Sequence, residues 1–453
     1  MKKPLQGPAR PALFLCLIAV VLLGLHFVPA FSIGDYEVKP VDLLSDVVSE
    51  PGTDGSGIVV PKSAETLRKE AEVRRDTCPP GLTCIEDYST DGRGMAPFYA
   101  ALADRGRLNR PVRIAYFGDS FIEADILTAD LRAMLQNRYG GCGVGFVDIA
   151  SPFTKLRSSV THKSSGWTDH SVLEKAGCDK RLLGISGRYA IAGPGATISY
   201  GGVREYAHLD SFEVATLYAT GTAPLNVTAA ANGGSARTLS NGGNSQVRTA
   251  TLIQHMGRVD FMLHSNTTAF GVALEGTRGV TVDNFSLRGS SGLPLASIPD
   301  GHLSQLYAVR PYDLIVLQFG LNVASKNQLK YDTYIHGMRK VIDRFRRLFP
   351  GAGILVVGIG DREDRGTNGT LRTMPAVKAL MGYQQAMAAE AGVAYWNLYQ
   401  AMGGEGAIRR MADAKPAEAG KDYTHINHRG GKRVATMLYR ALVFGYGQYL
   451  KSN

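Results

Sequence analysis

Val112-Arg113-Ile114-Ala115-Tyr116-Phe117-Gly118-Asp119-Ser120 decides how this chain folds. Its first six residues are mostly apolar, with β-branched and aromatic side chains, and read as a short strand buried on both faces. Gly118-Asp119-Ser120 then reads as a tight turn. From Ala124 to Tyr139 the apolar residues Ile126, Leu127, Leu131, Met134 and Leu135 recur at helical spacing, which predicts an amphipathic helix. Strand, turn and helix in that order open an α/β unit.

The same texture returns late in the chain. Gly279 to Leu287, Leu314 to Phe319, Gly353 to Gly358 and Val393 to Leu398 read as strands. Tyr331 to Leu348, Val377 to Ala391 and Gly430 to Tyr449 read as helices. Such alternation argues for a parallel sheet with helices on both faces. Between these parts, residues 151–275 are rich in Gly, Ser, Thr and Val, with alternating runs such as Phe212 to Tyr218 and Val259 to His264 set between turn clusters like Asn241-Gly-Gly-Asn. They predict an all-β module, a sandwich, inserted into one α/β domain made of residues 111–150 and 276–453.

Ahead of the domain, residues 35–110 read as a linker or stalk, with Pro51 to Gly57 rich in turn formers. Residues 1–34 read as an N-terminal signal anchor. Pro11 to Gly34 holds no Asp, Glu, Lys or Arg, and Lys2, Lys3 and Arg10 precede it. A transmembrane helix in the cell inner membrane is therefore expected, single-pass, with the rest of the chain in the periplasm; cleavage of the segment is the rival reading. The 453 residues carry a net charge of +10, three of whose positives precede the apolar run. No basic block interleaved with aromatics stands out, which argues against nucleic acid as a partner and for weak attraction to anionic envelope polymers. Four cysteines lie outside the apolar run, and an oxidising compartment would let Cys78 pair with Cys84 and Cys142 with Cys178; four buried thiols are the alternative.

The candidate chemistry falls at strand ends. Ser120 sits at the carboxyl edge of the first strand, where open α/β sheets bind ligands and a helix N-terminus favours negative charge. Asp422-x-x-His425 precedes the last helix, at a spacing that lets the carboxylate hold one imidazole nitrogen while the other takes a serine proton. Asn322 follows the strand ending at Phe319, and its amide can meet a substrate oxygen. Gly289 follows the strand ending near Arg288 and can bring a backbone N–H to the same oxygen, since no Cβ blocks approach. Each has a plain structural alternative, as cap or turn former. His428 is a third candidate beside Asp422 and His425 for metal binding, but no further His/carboxylate cluster completes such a site, and helix capping is its simpler role. Asp361-Arg362 is expected on the same sheet edge, lining the pocket or forming a surface ion pair.

Taken together, Gly118-Asp119-Ser120, Gly289, Gly320-x-Asn322 and Asp422-x-x-His425 resemble, in order, the four blocks of the SGNH (GDSL-type) hydrolase superfamily. Val323 stands where an Asp is usual, and Phe121-Ile-Glu-Ala-Asp replaces the common Ser-Leu. The resemblance implies a flavodoxin-like three-layer α/β sheet, with Ser120 as nucleophile, His425 as base and Asp422 as orienter. It also implies an oxyanion hole of Ser120 N–H, Gly289 N–H and Asn322, and no cofactor or metal. An exported SGNH domain split by a β module resembles the bacterial peptidoglycan O-acetylesterases, whose insert is similar to carbohydrate-binding modules. The expected partner is an acetylated cell-envelope glycan, and the expected reaction removes O-acetyl groups. A polysaccharide O-acetyltransferase with the same triad is one alternative. A non-catalytic glycan-binding or assembly protein, using Trp167, Tyr189, Tyr200 and Tyr206 of the insert to stack on sugars, is another.

Overall fold

The structure is a computed structural model that describes residues 31–33, 36–38 and 78–452, apart from 222, 245, 367 and 368. The anchor expected over 1–34 and most of the 35–77 linker lie outside the described residues. Among those described, no helix is long and apolar enough to cross a membrane. Two compact units divide the chain at Val59, and the first contributes a short antiparallel hairpin, Phe31–Ile33 with Tyr36–Val38.

The second unit is built on five parallel strands: β1 (Val112–Gly118), β2 (Val280–Ser286), β3 (Leu314–Gln318), β4 (Gly353–Val357) and β5 (Ala394–Trp396). Their spatial order is β2-β1-β3-β4-β5, the flavodoxin-like order, with the switch between β2 and β3 falling on either side of β1. The longer helices are α1 (Ala96–Ala103), α2 (Thr128–Tyr139), α3 (Asp300–Val309), α4 (Asp332–Leu348), α5 (Pro375–Ala391) and α6 (His428–Ser452), with two short ones at Leu398–Met402 and Ala407–Asp413. Alternation along a strand sends neighbours to opposite faces. Asn284 of β2 donates to Thr128 Oγ1 of α2 at 2.6 Å. The next residue, Phe285, stacks on Phe117, which in turn meets Phe345 of α4. Hence α2 and α4 cover opposite faces. Along α4, Tyr334, Met338, Val341, Ile342, Phe345 and Leu348 are buried at intervals of three and four, each fully buried side chain contributing about 1.5–3 kcal/mol.

Residues 78–110 correct the expected stalk. They fold onto the sheet: Glu86–Asp87 adds an antiparallel edge strand to β5, and α1 buries Phe98, Tyr99 and Leu102. The indole N–H of buried Trp396 finds its acceptor in Thr83 O at 2.9 Å. Cys78 and Cys84 are joined, but Cys142 and Cys178 are free, which corrects the second expected pairing. Cys142 packs beside Gly276, next to the sheet return, while Cys178 belongs to the loop around Tyr189.

The β-rich part lies between β1 and β2. Ten strands hydrogen-bond together and branch at Arg188–Gly201, whose first half pairs with Thr267–Glu275 and whose second half pairs with Arg258–Leu263; they enclose an apolar core of their own, with Ile198, Leu217, Val227, Leu252, Phe261 and Val272 inside. Gly145–Val147, ahead of residue 151, pairs with its strand Thr267–Glu275. A buried ionic cluster ties this part to the α/β sheet: Glu275 bonds Arg113 at 2.7 Å and Arg310 at 3.0 Å, and Arg310 also meets Asp283 at 2.8 Å. Burial alone would raise the Glu275 carboxyl, but the two guanidiniums hold it down at about 2.

Candidate active site

β1 delivers Ser120 to the carboxyl edge of the sheet, and the turn that carries it is dictated by crowding. A Cβ on Gly118 would lie 2.9 Å from Ile122 Cγ1 and 3.1 Å from Gln318 O, so only glycine lets the chain leave the strand here. The expected helix does not begin at Ala124. Instead Glu123–Asp125 makes a 3-10 turn, with Ala124 (φ 53°) and Asp125 (φ 62°) left-handed, and α2 starts at Thr128.

The chain's other end reaches Ser120 through α6. Asn427 caps this helix, its Oδ1 accepting from Arg429 N and Gly430 N at 3.0 and 3.2 Å. The capping role thus belongs to Asn427 and not to His428, the first helical residue. Gly431 presses the helix against Ile126, since a Cβ there would sit 1.9 Å from Ile126 O. The loop just before the helix is thereby laid beside the serine turn.

His425 Nε2 stands 3.1 Å from Ser120 Oγ, and His425 Nδ1 stands 2.6 Å from Asp422 Oδ2. The other Asp422 oxygen accepts from Thr424 N and His425 N at 3.1 and 3.2 Å. Partial burial would raise this carboxyl, but the bonds from His425 and Thr424 outweigh it and lower its pKa, so Asp422 stays ionised beside the ring. Ser120 is buried while His425 and Asp422 are exposed, which leaves one side of the serine–histidine pair open to a substrate. Proton removal from a hydroxyl by an oriented imidazole is what this geometry can do.

The remaining sequence candidates sit around the same edge. Leu287 N donates to Gly118 O at 2.8 Å, placing the turn with Gly289 against the serine turn. Gly289 has φ +82°, and nothing lies within 4 Å of where a Cβ would be. Asn322 Nδ2 donates to Ser290 O at 3.1 Å, joining the third loop to that turn; an amide carries two N–H groups, so one remains for a ligand. Trp167 and Tyr206 of the insert are half-buried, but Tyr189 and Tyr200 are inside the protein and offer no face to a sugar.

Three residues brace the site in ways the sequence did not announce: Asp119 and Glu123 carried no expectation of their own, and Arg362 was expected to line the pocket or to form a surface ion pair. Asp119 accepts N–H bonds from Phe121 on its own turn and from Gly320 and Leu321 on the Asn322 loop. Burial pushes its carboxyl up to about 6, against the pull of those bonds and of His425. Arg362 Nη1 donates to Leu321 O and Ala324 O at 3.0 and 3.3 Å, and Glu363 N to Tyr423 O at 3.1 Å, so one short segment staples the Asn322 and His425 loops. Asp361 is neither a surface partner of Arg362 nor exposed: it is buried, accepting from Thr373 Oγ1 and Ile408 N. Glu123 Oε2 accepts from Arg288 Nη1 at 2.6 Å, tying the serine turn to the residue beside Gly289. For Asp119 the signal was available, since it lies inside the quoted turn; for Glu123 and Arg362 the partners are remote in sequence.

Residues 258–433 match the GDSL-like Lipase/Acylhydrolase family. The matched segment holds Gly289, Asn322, Asp422 and His425 and leaves out Ser120, which precedes the insert. Among curated proteins none matches the sequence. Among solved structures, one described as a peptidoglycan O-acetylesterase in action superposes with a TM-score of 0.66 at 22% identity, over 80% of this chain and 99% of that one. A family two carbohydrate esterase from Cellvibrio japonicus aligns over 63% of this chain and 98% of its own at 11% identity, with a TM-score of 0.26.

Proposed function

We propose, from the premise that this chain is an esterase of the GDSL-like, SGNH-hydrolase type, that it removes O-acetyl groups from a cell-envelope polysaccharide such as peptidoglycan. The observation that carries this reading is the relay from Asp422 through His425 to Ser120, at 2.6 and 3.1 Å. Ser120 Oγ attacks the acetyl carbonyl as His425 Nε2 takes its proton. The developing oxyanion is met by the backbone N–H groups of Ser120 and Gly289 and by the Asn322 amide. Collapse of the tetrahedral adduct breaks the ester bond; His425 returns its proton to the departing sugar oxygen, leaving an acetyl-serine. Water, activated by the same imidazole, then releases acetate and restores Ser120.

Support for an acetylated glycan comes from the fold shared with the peptidoglycan O-acetylesterase structure and from the net charge of +7 (+10 less Lys2, Lys3 and Arg10) on the part proposed to be exported, which suits an anionic envelope polymer. Export to the periplasm, with tethering through the uncharged run Pro11 to Gly34, is part of the same proposal and is supported by the Cys78–Cys84 disulfide. Ser120→Ala tests the reading: acetate release from O-acetylated peptidoglycan and from a small chromogenic acetate should vanish with Tm unchanged. Full turnover in that variant ends it, and acetylated acceptor in place of free acetate would mark a transferase.

A further inference from the structure

We propose that the β-rich insert is a working part of the catalytic centre, because Arg157 and Ser159, both supplied by it, position the turn that carries Ser120. The inference rests on the reading of Ser120 as nucleophile.

The node is Asp125, five positions beyond the serine and fully buried. From the α/β domain its carboxylate receives Thr128 Oγ1 and the Arg132 guanidinium, whose Nη1 lies 3.1 Å from Oδ2. Arg132 is itself fixed on the sheet, donating from Nε to Val282 O at 2.8 Å. From the insert come Arg157 Nη2, 2.7 Å from Oδ2, and the Ser159 hydroxyl on the same oxygen. Arg157 also reaches Phe146 O, on the insert's own sheet, at 3.3 Å. The carboxylate is therefore gripped from two sides, by the α/β part and by the insert.

What it holds needs holding. Ala124 and Asp125 have φ of 53° and 62°, two successive non-glycine residues in a region L side chains rarely occupy. Such a backbone persists only where its surroundings over-determine it. The segment between Ser120 and Asp125 is short and pinned at its middle by Asn284 Nδ2, which donates to Ile122 O at 2.7 Å. A shift of the Asp125 side chain passes to Ser120 with little chain to absorb it. Since Ser120 must stay in line with His425 Nε2 at 3.1 Å, that shift falls on the reacting atoms. Arg157 and Ser159 touch no substrate in this scheme; they are positioning residues.

The test uses the full-length protein and a small chromogenic acetate, which is too small to need the insert for binding. Arg157→Met should lower kcat about 10- to 100-fold with KM held within about twofold, and Arg157→Lys should recover most of the loss. Arg258→Ala, an exposed position of the insert whose guanidinium pairs with nearby Asp260, should turn over as the parent does. Unchanged kcat in folded Arg157→Met overturns the proposal, as does an equal loss in Arg258→Ala, since any disturbance of the insert would then suffice. If Arg157→Met does not fold, Ser159→Ala decides: a several-fold fall in kcat supports the proposal and an unchanged kcat overturns it. Parent protein that neither hydrolyses the ester nor labels at Ser120 with a fluorophosphonate would instead bring down the esterase reading beneath it.

Discussion

Replacing Asp422 by Asn gives the sharpest measure of the proposed relay. The carboxylate stabilises the imidazolium that forms as Ser120 loses its proton, and it fixes which ring nitrogen faces the serine. At the observed 2.6 Å the attraction is about 1.6 kcal/mol in the dielectric of water and about 6 kcal/mol at an effective dielectric near 20. The two side chains are 51% and 45% exposed, so solvent screens the pair and the lower part of that range applies, about 2–4 kcal/mol. That is a loss in kcat of about 30- to 1,000-fold. Steady-state hydrolysis of a chromogenic acetate at saturating ester, with a melting curve in parallel, gives the number. Asn at 422 with more than half the parent kcat would refute the claim that the carboxylate orients the base. A loss as complete as that of Ser120→Ala would refute the argument from exposure.

Asn322→Ala should lower kcat about 10²- to 10³-fold with little change in KM, because in the proposed mechanism its second N–H meets charge that exists only in the transition state. Asp119 titrates near 6 in the folded chain against 3.8 for a free carboxyl; the folded state thus binds the proton more tightly. Its contribution to stability is fully present below about pH 4 and is lost as pH rises through 6, so the Tm of Asp119→Asn should vary less than that of the parent between pH 4 and 7. Gly431→Ala places a methyl 1.9 Å from Ile126 O and should cost about 1–3 kcal/mol, read as a lower Tm; an unchanged Tm would mean that α6 packs differently. Reducing Cys78–Cys84, which closes a loop of sequence separation 6, should remove about 2 kcal/mol and lower Tm without touching kcat, since the loop lies beyond the far edge of the sheet from Ser120.

Sequence reading reached furthest where interactions are local. The strand that ends at Gly118 and the helix periods of α4 to α6 were legible because each depends on a repeat of two or of 3.6 residues within one window. It failed at Ala124, where a helical spacing of apolar residues hides a left-handed turn held by arginines 7 and 32 positions away from Asp125. It failed again over 78–110, where Phe98, Tyr99, Leu102 and the Thr83 carbonyl are too scattered to announce a folded segment, and Trp396, the donor to that carbonyl, comes 313 residues later. The Cys142 and Cys178 pairing failed for the same reason: an even count of cysteines says nothing of where each thiol is packed.

By itself, then, the amino-acid order determined the α/β class, the insertion of a β-rich part between two halves of one sheet, and the short blocks that bear reactive side chains. Those are matters of periodicity and of what each side chain is chemically able to do. Only tertiary structure decided that Ser120 and His425 meet across 305 positions. It also decided that Asp119 holds its proton more tightly than a free carboxyl and that Asp125 is shared between the α/β part and the insert. Each of these depends on burial and on partners distant in the chain, and neither exists until the sheet has closed and water has been excluded.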